Sequence, residues 1–87
     1  MGDTTVSAER SHLEPREWAT VYIGTTTKTV EVRFQGRIHK NAKLKIESDG
    51  AILAEITEDN DKTNVAGQKI RVYNAGSKNQ GFDFRFI

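Results

Sequence analysis

No cysteine occurs among the 87 residues. A disulfide framework and a thiolate metal site are both excluded, so packing alone has to hold the fold together. Proline occurs once, at Pro15, and it marks where the folded domain starts. Long apolar runs are missing too: nothing approaches the ~20 residues of a membrane span. The first six residues, Met1-Gly2-Asp3-Thr4-Thr5-Val6, carry no basic or apolar leader pattern, and Val6 stands where myristoylation needs Ser or Thr. No Asn-x-Ser/Thr acceptor occurs. These absences lead to the expectation of a soluble cytoplasmic protein with no membrane partner.

Catalytic constellations are scarce. The two histidines are His12 and His39, neither with a carboxylate beside it in sequence, and His39 sits among basic residues. There is no Gly-x-Ser-x-Gly elbow, phosphate loop or His-Glu-x-x-His. Asp59-Asn60-Asp61 begins like a calcium loop but fails at Thr63, at Asn64 where glycine is required, and at Ile70 where the closing Glu belongs. The expectation is a non-enzyme with no catalytic residue, no metal and no cofactor.

What is present is a strand pattern. Hydrophobic residues make up 36% and charged residues 29%, the polar end of the globular range, and 87 residues make one small domain. Residues 1–14 lack periodicity and read as a flexible polar arm, with residues 15–87 as a single β-domain. Glu14–Trp18 reads as one helical turn with Pro15 at its first position. Beyond it the period is two. Ala19, Val21 and Ile23 alternate with polar groups, as do Val30, Val32 and Phe34, and folding the chain about Thr26-Thr27 predicts a hairpin with one apolar face. Asp49-Gly50 signals a second hairpin. A three-residue loop, Ser48-Asp49-Gly50, pairs Ile46 with Ile52, Leu44 with Ala54 and Lys43 with Glu55. Thr57–Asn64 reads as a polar loop, Gln68–Tyr73 as a strand, residues 74–81 as a loop, and Phe82, Phe84 and Phe86 as the buried side of a last strand paired into the sheet. The fold class is therefore all-β: a small antiparallel barrel or two-sheet sandwich of about five to six strands.

Charge is unevenly spread. Residues 28–45 sum to +5 and residues 46–62 to −5, against +1 for the whole chain. The basic block supplies Arg33, Arg37, His39, Lys40, Lys43 and Lys45 as a candidate surface for a polyanion or another partner. The alternative is that these are the solvent faces of amphipathic strands, neutralised by the acidic block. Trp18 and Tyr22 share the parity opposite Ala19, Val21 and Ile23, and with Tyr73 they form a candidate aromatic interaction surface. Together these features point to a non-catalytic binding protein, a protein–protein interaction module with another protein as partner. A small nucleic-acid-binding β-barrel using the basic strand surface is the first alternative, and a homo-oligomer built by edge-strand pairing the second.

Overall fold

The structure, a computed structural model, describes residues 12–87. Six strands follow one another: β1 (His12–Leu13), β2 (Trp18–Phe34), β3 (Lys43–Ser48), β4 (Ala51–Thr57), β5 (Lys62–Asn74) and β6 (Gln80–Phe86). All pair antiparallel in the order β1-β6-β2-β5-β3-β4, and the sheet curls into a half-barrel. Among the described residues there is no helix, hence none long and apolar enough to cross a membrane. Most of the expected arm, residues 1–11, lies outside the described residues. Ordered chain nevertheless begins before Pro15, because Leu13 is fully buried and pairs with Gln80.

The expected hairpin about Thr26-Thr27 is replaced by one continuous strand. β2 pairs with β5 on both sides of the bend, from Trp18↔Tyr73 to Arg33↔Lys62. Three threonines are good strand formers and poor turn formers, so the chain bends there without reversing. The bend shows in the register, which jumps from Ile23↔Lys69 to Lys28↔Gly67. Two side-chain bonds brace it: Tyr22 Oη donates to the Thr26 carbonyl (2.6 Å) and Gln68 Nε2 to the Thr25 carbonyl (3.1 Å). Gly24 is needed here, since a methyl group on it would collide with the end of the Tyr22 ring. The bend brings both halves of β2 to one core, so Ala19 and Val21 still meet Val30, Val32 and Phe34, across the interior rather than side by side.

Two bulges decide which side chains face in. Thr20 pairs with Arg71 but Tyr22 with Ile70, leaving Val21 as an extra residue. Val21 and Tyr22 are consequently both buried, and Ile23, expected in the core, turns outward. The second bulge corrects the β3–β4 register. The loop has two residues, Asp49 (φ 50°) and Gly50 (φ 91°), the double left-handed pattern that Asp-Gly favours. Glu47 faces Ile52 next to the turn; beyond it Leu53 is the extra residue and Ile46 pairs with Ala54, Lys45 with Glu55 and Leu44 with Ile56. A two-residue loop without that bulge would put Leu44 opposite Glu55; the bulge removes the conflict. The Asp49 carboxylate also accepts the Gln68 and Lys69 amides (3.1 and 2.9 Å), fastening the turn to β5.

The remaining connections are tighter than expected. Thr57 and Asn60 exchange main-chain hydrogen bonds (3.0 and 3.1 Å), which reduces the polar loop to a turn at Glu58-Asp59, and β5 starts at Lys62. Val65 is buried, so this early part of β5 belongs to the core. In β6, Phe82 is buried and Phe84 half-buried, while Phe86 is exposed near the chain end. β6 pairs with β2 as Val30↔Phe86 through Phe34↔Phe82, and the Ile87 amide bonds the Thr29 carbonyl (2.9 Å).

Candidate binding surfaces

The six residues of the basic block fall in three places. Arg33 lies on the outward side of β2, opposite Asp83 of β6, and its guanidinium is 3.4 Å from that carboxylate. Arg37, His39 and Lys40 lie in the connection from β2 to β3. The buried Gln80 holds this segment: its Nε2 donates to the Arg37 carbonyl (2.8 Å), and its Oε1 accepts the His39 amide (3.2 Å). Lys43 and Lys45 are half-buried on the outward side of β3, Lys43 opposite Thr57, and Lys45 between Tyr73 of β5 and Glu55 of β4.

The aromatic trio is divided. The Val21 bulge sends Tyr22 into the core, where it is fully buried, so it is not part of an outer surface. Trp18 and Tyr73 are direct partners across β2 and β5, with ring centroids 4.6 Å apart at 40°. The Arg71 guanidinium lies over the Trp18 ring, 4.1 Å from its centroid, a cation–π contact. Arg71 in turn grips Glu47 of β3 in a two-pronged ion pair of 2.6 and 2.8 Å. The result is an outward row of contacts across β2, β5 and β3, with Trp18 still 39% exposed.

The hydrogen bond from Arg71 holds the Glu47 carboxyl below its ordinary value of 4.5, opposed in part by desolvation. A depressed folded value means that the pair stabilises the fold fully above about pH 5 and loses that contribution as the pH falls through and below 4.5. Unfolding by urea, followed from neutral to acid pH, is expected to show this decline. Glu47→Gln should flatten this part of the profile and cost about 1 kcal/mol at neutral pH, because the pair is partly exposed and screened.

Beside this row lies a cleft of about 630 Å³ lined by Pro15, Arg16, Lys45, Tyr73 and residues 74–77. One wall is a reverse turn, not the helical turn expected over Glu14–Trp18. The Glu17 amide bonds the Glu14 carbonyl (3.1 Å), and Arg16 has φ 71°, which no right-handed helix accepts. Asn74 clamps the turn from both sides, accepting the Arg16 amide (2.8 Å) and donating to the Glu17 carbonyl (3.0 Å). Pro at the second turn position with positive φ at the third is the type II pattern, where glycine or asparagine is usual. An arginine there costs about 1 kcal/mol. Sequence reasoning passed over Arg16; the one available signal was Glu-Pro-Arg-Glu read as a type II turn that displays its third residue.

No protein-family model, no curated protein and no solved structure matches the chain.

Proposed function

We propose that the protein is a non-catalytic binding module that captures an extended segment of a partner protein along the free edge of β4. The observation that carries this is the state of that edge. Among the described residues β4 is the last strand of the sheet and has only β3 as a strand partner, apart from the Thr57–Asn60 bridge at its end, and Ile52 and Leu53 are 49% and 61% exposed on it. Edge strands are usually blunted by lysine, proline or a covering segment; Ala51-Ile52-Leu53-Ala54-Glu55-Ile56 contains neither residue. The Leu53 bulge is one protective device on it. An incoming strand would gain main-chain hydrogen bonds from the edge and apolar contact from Ile52 and Leu53. Glu55, Glu58 and Asp59 flank the edge, which favours a partner strand bearing Lys or Arg. They also disfavour a second copy of this chain, whose own acidic flank would be brought alongside.

The test is selection from displayed peptides about eight residues long, the reach of one strand. Enriched peptides should alternate apolar with basic residues and protect β4 amides from exchange. The double substitution I52K/L53K should weaken them at least about tenfold, or 1.4 kcal/mol. Both side chains face solvent, so stability should move by no more than about 0.5 kcal/mol. Peptides that bind the double variant as well as the parent would exclude the β4 edge.

A further inference from the structure

We infer that the cleft between the Pro15-Arg16 turn and Tyr73 binds a phosphate monoester, with the oxyanion between Arg16 and Lys45 and the organic part against Tyr73. The cleft is independent of the β4 edge. Its lining includes two cations and no carboxylate. Elsewhere on the sheet the arginines are neutralised: Arg33 by Asp83, Arg71 by Glu47 and Arg85 by Glu31. Among the described residues neither Arg16 nor Lys45 has a carboxylate within ion-pair distance, although Glu55 is the cross-strand partner of Lys45 and Glu17 follows Arg16. Two unpaired cations facing one concavity repel each other, and an anion between them removes that repulsion.

Three further features fit an oxyanion. Arg16 occupies a backbone conformation that glycine would adopt without strain, and what glycine would lack is the guanidinium, a planar fork suited to phosphate. Neutral donors are at hand in the 75–77 loop. Its first two amides are engaged, Ala75 with the Lys43 carbonyl (2.9 Å) and Gly76 with Asn74 Oδ1 (2.9 Å), which fixes the loop, and Ser77, a hydroxyl-bearing residue, also lines the cleft. Tyr73 supplies an aromatic wall, with the Trp18 ring packed against it.

The experiment is an amide chemical-shift titration of the full chain with sodium phosphate and with phenyl phosphate, against sodium chloride at equal ionic strength. Phosphate should produce saturating shifts at Arg16, Lys45 and residues 74–77, with a dissociation constant of about 1 mM. Phenyl phosphate should bind more tightly and move Tyr73 as well. Arg16→Gly and Lys45→Gln should each weaken binding about tenfold. Arg16→Gly should do so with an unchanged or raised thermal midpoint, because the substitution relieves the turn. Linear shifts indistinguishable from chloride would overturn the site, as would full binding by Arg16→Gly. Equal shifts at Arg33, Arg37 and Lys40, with tighter binding of single-stranded DNA, would replace it by a diffuse nucleic-acid surface.

Discussion

Tyr22→Ala is expected to lower the free energy of unfolding by about 3–5 kcal/mol and the thermal midpoint by roughly 15–30 °C. A chain this small has only about 5–10 kcal/mol in total, so the variant should be partly unfolded near physiological temperature. The ring is fully buried, and it sits where the bend in β2 meets the end of β6. Phe86 meets it edge-on at 5.7 Å and 78°, and the Lys28 ammonium lies 5.6 Å from the centroids of both rings. Truncation therefore opens a cavity and removes the strut inside the bend. Tyr22→Phe separates the two contributions: it keeps the ring, loses the 2.6 Å bond to the Thr26 carbonyl, and should cost about 1 kcal/mol or less, since Thr26 is exposed and water can replace the lost donor. Circular dichroism melts of the three proteins would measure this. A midpoint for Tyr22→Ala within a few degrees of the parent would mean that the bend does not depend on the ring.

Tyr22 also shows how far alternation could be read. Within uninterrupted runs the period of two identified most inward residues: Val30, Val32 and Phe34; Leu44 and Ile46; Ile70 and Val72; and Phe82, though Phe84 of the same run is only half-buried and Phe86 is exposed. What it could not see were the two extra residues, Val21 and Leu53, where parity inverts. Neither is glycine, and an ordinary β-branched or γ-branched residue looks the same in a bulge as in a regular ladder. Ile23 and Tyr22 exchanged faces for that reason alone. Pairing was a harder problem than parity. The hairpin about Thr26-Thr27 was the most local solution that matched the apolar faces, whereas β2 pairs with β5, from Trp18↔Tyr73 to Arg33↔Lys62, across a long stretch of intervening chain. Local pattern has little to say about such a partner.

The candidate surfaces were legible to the same degree. Trp18 and Tyr73 share an outer face because no bulge separates either from its expected parity. Lys43 and Lys45 do as well. The positive φ of Arg16 was hidden, because the turn that holds it is clamped by Asn74 from the far end of β5. The free β4 edge was hidden also: that a strand is terminal in the sheet depends on the order of all six.

Asn74→Leu is expected to cost about 3 kcal/mol, because this one side chain makes three hydrogen bonds that tie two segments, β1 and the 75–79 loop, to the end of β5. Asn74 is 1% exposed; its Nδ2 donates to the carbonyls of Leu13 (2.8 Å) and Lys78 (2.9 Å), and its Oδ1 accepts the Gly76 amide (2.9 Å). Leucine matches the volume and supplies none of these bonds. The Leu13 bond is the buried one, so its carbonyl would be stranded at about 1–3 kcal/mol, while the two part-buried groups would regain water at a smaller loss. Amide exchange should quicken first at Leu13 and Gly76, where β1 and the 75–79 loop are released. Asn74→Asp makes the sharper test. It keeps the acceptor for Gly76 but turns a carboxylate oxygen toward two carbonyls in a buried place, so the charged form is disfavoured and the carboxyl titrates above its usual range in the folded state. Sign then follows from linkage: a raised folded value gives stability that is present at acid pH and lost as the pH rises. The Glu47 contribution runs the other way, lost as the pH falls below 4.5. Asn74→Asp should thus be closest to the parent in acid and furthest from it at neutral pH. A deficit that grows toward acid would mean that Nδ2 does not make the two donor bonds.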